Sequence, residues 1–179
     1  MERFKGFLRR KNIVISAKRY GIDALGAMAQ GLFCSLLIGT IINTIGTQFH
    51  IPFLTQVVAT LGSGDHTISY TVGGLASAMS GPAMAVAIGY ALQAPPLVLF
   101  SLATVGFASN TLGGAGGPLA VLFIAIIAAE LGKAVSKETK VDILVTPLVT
   151  IFAGVALAAW WAPAIGKAAS QIGVLIRWA

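Results

Sequence analysis

Between Thr67 and Ala129 the chain runs for about 60 residues without a charged side chain, long enough for three helices at the ~20 residues each needs to cross a bilayer. Few folds accommodate such a run, and a helical membrane bundle is the simplest. Its central part, Gly81 to Pro118, is broken at Ala94-Pro95-Pro96 and at Gly113-Gly114-Ala115-Gly116-Gly117-Pro118. Proline removes a backbone donor and glycine weakens a helix. In lipid, backbone groups freed in this way must be covered by protein or must line a watery cavity. The two breaks are therefore candidate places for a pathway or a binding site. Tight turns between hairpin helices are the structural alternative.

The rest of the composition agrees. Only 10% of the 179 residues are charged and 56% are hydrophobic, against about 25% charged in an ordinary soluble domain. The expected fold is all-α: a polytopic transmembrane bundle of about five spans with broken or re-entrant helices, in one domain over residues 1–179. The formal net charge of +6 is clustered in Lys5, Arg9, Arg10, Lys11, Lys18 and Arg19, and again in Lys133, Lys137 and Lys140. These clusters flank apolar spans, which assigns them to a cytoplasmic membrane face rather than to nucleic acid. Residues 1–20 read as a basic amphipathic segment on the headgroups. Arg19 stands four residues from Asp23, the spacing of a local ion pair if the segment is helical; a solvated pair is the favoured reading.

Expected spans are 24–48, 71–93, 96–112 and 116–132, an even number that leaves both basic clusters on one side, followed by Ile143 to Trp161 with its aromatic end. Gly26, Gly31, Gly39 and Gly46, and the Ala83, Ala87, Ala91 and Ala85, Gly89 rows, mark close helix packing. Gly81-Pro82 predicts a kink. Pro52 to Leu61 reads as a short interfacial or re-entrant helix, and 163–179 as a re-entrant helix or the start of a sixth pass. Asn43 and Gln30 are expected in interhelical hydrogen bonds, and Cys34 as a small buried hydrophobe. His50, Asp65 and His66 share no ligand spacing, so no metal site and no cofactor is expected.

Glu130 is the one carboxylate expected inside a span, where charge is costly. Lys133, three residues on, is a ready partner, so Glu130 reads either as a paired carboxylate or as a substrate or proton group. Asp142 opens a span as a helix N-terminal carboxylate. Gln93, Pro95, Pro96, Asn110, Gly113, Gly117 and Glu130 form the candidate substrate-binding set. There is no Walker loop, GxSxG elbow, paired-carboxylate motif or Cys/His cluster, so no catalytic residue is assigned.

Three stretches, Gly31 to Gly39 (GLFCSLLIG), Tyr90 to Ser101 (YALQAPPLVLFS) and Glu130 to Thr150 (ELGKAVSKETKVDILVTPLVT), resemble EIIC-like permease proteins of the bacterial phosphotransferase system. That group includes regulators of perfringolysin production. The resemblance covers about residues 11–179 and is expected to correspond to the N-terminal half of longer members. It implies a permease subunit of the bacterial plasma membrane, N-terminus cytoplasmic, moving a small polar solute such as a sugar. Any sugar phosphorylation would then come from cytoplasmic phosphocarrier partners. The implied partners are the lipid bilayer, that solute, those subunits and further copies in a homo-oligomer. The His and Glu motifs of sugar permeases have no counterpart here. A membrane sensor without transport, or a half-permease needing a second chain, are the alternatives.

Overall fold

The computed structural model describes the backbone of residues 2–62, 67–138 and 140–178, and side chains over 5–62, 67–138 and 140–171. Asp65 and His66 lie outside the described residues. A short helix α1 (Glu2–Arg10) precedes α2, a continuous helix over Lys18–Gln48 with π-type turns at Lys18–Asp23 and Phe33–Leu37. One helical turn, α3 (Pro52–Thr55), leads into an antiparallel pair, β1 (Ala59–Leu61) and β2 (Ile68–Tyr70). The chain then returns through α4 (Val72–Ala78) and α5 (Ser80–Ala91). Next come α6 (Pro96–Gly113), a 3-10 turn at Gly114–Gly116, α7 (Gly117–Val135) and α8 (Asp142–Trp178).

Three continuous helical stretches, Lys18–Gln48, Pro96–Val135 and Asp142–Gln171, are long and apolar enough to cross a membrane, and the bent pair α4–α5 makes a fourth. The second of these folds back on itself. Gly132, near the end of α7, lies against Val98 at the start of α6, and Gly117 lies against Asn110. The stretch is thus a hairpin of two antiparallel legs of 18 and 19 residues, each about 27–29 Å long and close to the ~30 Å hydrocarbon core.

The hairpin and α5 form the interior. Met84, Ala85, Ile88, Val98, Leu102, Val105, Val121, Ile124 and Ala125 are fully buried there. Small residues make this packing possible. A Cβ on Gly81 would collide with the carbonyl of Gly106, and one on Gly106 with that of Gly81, so α5 and α6 cross backbone to backbone. By contrast α2 and α8 turn Phe33, Leu37, Ile38, Phe152 and Trp160 outward, the apolar coat of a chain solvated by lipid. The Trp160–Trp161 pair, ring centroids 6.2 Å apart, stands near the level of the Gly113 turn, consistent with an aromatic anchor near an interface.

The expected kink is present: α4 and α5 meet at 49°. Pro82 has no N–H for the carbonyl of Ala78, so the ladder opens there. Gly31, Gly39 and Gly46 each sit against a neighbouring backbone or side chain, whereas Gly26 faces open space. Asn43 accepts a 2.8 Å hydrogen bond from Thr71, the interhelical role expected of it.

Several expectations are corrected. The stretch from Pro52 is helical only to Thr55, then becomes a strand: Ala59, Thr60 and Leu61 pair with Tyr70, Ser69 and Ile68, and the β-branched Val57, Val58, Thr60 and Ile68 favour extended backbone over helix. There is no break at Pro163: α8 continues through Pro147 and Pro163 to Trp178, because neighbouring protein can cover a carbonyl that proline leaves unpaired. Cys34 is exposed. With Gln30, which is also exposed, it lines a groove between α2 and α5. Ala83, Ala87 and Ala91 line that same groove, with Gly31 of α2 pressed against the Ala83 backbone, and the Ala85, Gly89 row packs against α6.

Candidate functional site: a basic cavity at one end of the bundle

The two basic clusters of the sequence meet. Arg10, at the end of α1, lies 3.2 Å from the Glu138 carboxylate, and Lys11 lies 2.6 Å from it. The Lys11 ammonium also donates to the carbonyl of Ser136. The amino-terminal segment and the loop after α7 therefore occupy the same end of the bundle. Between them is a cavity of about 430 Å³ lined by Arg10, Lys11, Asn12, Gln93, Pro95, Lys133, Ser136, Lys137 and Glu138.

Lys133 holds this end together. It is 1% exposed, and its ammonium donates to the carbonyls of Asn12 (2.9 Å) and Leu92 (3.1 Å) and to Glu130 (3.1 Å). Three donors meet three acceptors, so the buried charge is fully satisfied. The sequence places it there because α7 is apolar up to Glu130, and the i, i+3 spacing brings Lys133 beside that carboxylate. Arg19 braces the same carbonyl, donating to Leu92 (2.6 Å) and to the Asn12 side chain (3.2 Å), longer-range bonds that take it away from Asp23. The Asn12 amide in turn donates to Gln93.

The backbone marks the same place. Among the described residues four non-glycine residues have positive φ, and three of them, Asn12 (54°), Gln93 (55°) and Lys137 (61°), line this cavity. Such conformations cost free energy and persist where surrounding bonds over-determine them. Here Lys133 and Arg19 pin Asn12 and the α5–α6 turn from both sides.

Glu138 is held below the ordinary carboxylate range, chiefly by its hydrogen bond from Lys11 and further by the nearby charges of Lys11 and Arg10. Asp142 caps α8 and the loop, accepting from the Lys137 amide (2.7 Å) and from Thr146, a structural role. Around the cavity, the Lys133 charge is matched by Glu130, while Arg10, Lys11 and Lys137 face two carboxylates, Glu138 in the wall and Asp142 beside Lys137.

The sequence-derived candidates divide between the two ends of α6. Gln93 and Pro95 line the cavity, Pro96 is the first residue of α6 and is exposed, and Glu130 is the partner of Lys133. Asn110, Gly113 and Gly117 lie at the opposite end, about 27 Å along the helix axis at 1.5 Å per residue. There Asn110 donates to Ser80 at 3.4 Å. Gly113, Gly116 and Gly166 let the hairpin turn press against α8. The candidates do not converge on one site, and both breaks are turns between antiparallel helices. Sequence reasoning missed Asn12, Lys133 and Glu138 as parts of one cavity. The available signal was the even number of spans separating two basic clusters, which makes them face each other.

The phosphotransferase system EIIC family matches residues 22–179, nearly all of the chain apart from the basic amino-terminal segment. The chain belongs to that family, and its apolar helices make it a multi-pass membrane protein. No curated protein and no solved structure matches it.

Proposed function

We propose that the chain is the membrane-embedded, EIIC-type part of a phosphotransferase-system permease of the bacterial plasma membrane, moving a small polar solute, a sugar, together with cytoplasmic phosphocarrier subunits. The observation that carries this reading is the family match across residues 22–179, which covers the helical bundle from the first turns of α2 onward. The cavity end is assigned to the cytoplasm. Arg10, Lys11, Lys133 and Lys137 all gather there, and basic loops stay on that side. Gln93, Pro95 and Glu130 then belong to the cytoplasmic mouth, with Glu130 acting through Lys133. Asn110, Gly113 and Gly117 are assigned to hairpin geometry, and Pro96 to starting α6.

The test is uptake of a panel of labelled sugars into proteoliposomes, with and without phosphocarrier partners. Partner-dependent accumulation of one sugar supports the reading. No binding and no flux for any sugar refutes it, and retention of a cytoplasmic regulator without flux favours a membrane sensor instead. Cysteines at Arg10 and Lys137, in a Cys34→Ser background, should react with a membrane-impermeant reagent only from the cytoplasmic side. Labelling from opposite sides would overturn the assigned topology.

A further inference from the structure

We propose that the basic cavity is a binding site for a phosphate monoester, carried either on a small soluble ester or on a lipid headgroup. The inference does not depend on which solute the chain transports.

Charge is the first argument. Lys133 is consumed by Asn12, Leu92 and Glu130 and shapes the wall without offering a donor. Arg10, Lys11 and Lys137 remain against Glu138 in the cavity wall, with Asp142 beside Lys137. That leaves an excess of one positive charge while Glu138 is in place and of two once it is displaced, the complement of a phosphate monoester carrying about −1.5 to −2 at neutral pH.

Donor geometry is the second. Arg10 commits one terminal nitrogen to Glu138 and keeps the rest of its fork, the group suited to two phosphate oxygens at once. The Lys137 ammonium makes no hydrogen bond or ion pair with the described residues; only its backbone amide is engaged, by Asp142. The Gln93 side chain uses its oxygen for Asn12 and keeps its amide donors. These groups come from three separate segments and meet on one cavity, whose volume of about 430 Å³ falls within the ~300–1,000 Å³ of small-molecule sites.

Rigidity is the third. The left-handed backbones of Asn12 and Gln93 are held by bonds that reach across the fold, and that of Lys137 by the local bond from its amide to Asp142. A wall built at that conformational cost is preorganised for a ligand rather than left as a solvated loop. In this arrangement Glu138 acts as an internal competitor. It occupies Arg10 and Lys11 while the site is empty, and an arriving phosphate displaces it.

That role gives the test two opposite signs. The purified chain, in an uncharged detergent and in phosphatidylcholine nanodiscs, is titrated with glycerol 3-phosphate, and separately with glycerol as the uncharged control. Phosphatidic acid is offered in a second set of nanodiscs and followed by native mass spectrometry. Arg10→Gln and Lys137→Gln should each weaken binding at least about tenfold, the loss of one charge-assisted contact. Glu138→Gln should tighten it, and raised salt should weaken it throughout. All three positions are solvent-accessible, so circular dichroism and thermal melting should confirm an intact fold. Binding of glycerol 3-phosphate with this pattern assigns a soluble ester. Retention of phosphatidic acid with this pattern, and no binding of the soluble ester, assigns a lipid headgroup. Binding of neither, or binding unchanged in all three variants, overturns the proposal. Sugar uptake is scored separately, so either conclusion can fail alone.

Discussion

The two ends of α6 look alike in sequence and differ in construction. At one end Pro95-Pro96 follows a turn whose carbonyl, Leu92, accepts from Lys133 and Arg19. At the other, Gly113, Gly116 and Gly117 leave no room for side chains where the turn packs against Ala120, α8 and Asn110. The first turn is held by charge-assisted bonds from residues far away in the chain. The second is held by close backbone approach. A helix breaker therefore says where a helix stops and leaves open whether the turn serves chemistry or packing. The partners decide that, and at the basic end they come from about 40 to 120 residues away.

The sharpest way to break this contrast is Lys133→Ala. It strands the Glu130 carboxylate and two carbonyls, and should cost about 3–5 kcal/mol, the range for removing one partner of a buried pair. Lys137→Ala, on the same cavity but exposed, should fall within about 0.5 kcal/mol of wild type. Melting of both variants in detergent checks the difference, and equal losses would mean the basic end is not keyed by Lys133. Next is Gly117→Ala at the opposite turn, whose Cβ would meet the Asn110 carbonyl oxygen at 2.7 Å. Overpacking of this kind costs about 1–3 kcal/mol, and the loss should leave phosphate binding at the other end unchanged.

The smallest effect is Glu138→Gln, which should leave the melting temperature near wild type while exposing Lys11 to trypsin. The same tie gives a pH dependence. Because the folded Glu138 carboxyl titrates below its ordinary value of 4.5, its contribution is complete above that value and is lost as pH falls through the lowered one. Hydrogen exchange of residues 8–12 should therefore stay slow down to about pH 4.5 and quicken below it. Quickening that begins near neutrality would separate the segment from Glu138.

Much of this was legible in the residues. The uncharged run, the Pro and Gly breaks and the basic loops placed the helix ends within a few residues: 96–112 against Pro96–Gly113, and 116–132 against Gly117–Val135. The Pro82 kink was legible because a missing donor acts locally. The passage of α8 through Pro163 was not, since covering the freed carbonyl depends on neighbours. Nor was the hairpin after Thr55, where an apolar run of strand length is ambiguous between helix and strand. In the site, the Glu130–Lys133 pair follows from helical spacing. The meeting of Asn12, Leu92 and Lys133 does not, because no periodicity relates residues so far apart, and positive φ at Asn12 and Lys137 leaves no mark on composition.

The long separation between Asn12 and Lys133 also sets an order of events during synthesis. Their hydrogen bond spans 121 residues, so at about 5–20 residues per second Asn12 waits roughly 6–24 s before its anchor is made. Throughout that interval Arg9, Arg10 and Lys11 have neither Glu138 nor Ser136 to bind, and their charges are left to the lipid surface. The segment that finally closes this end of the protein is thus made long before the residue that fastens it.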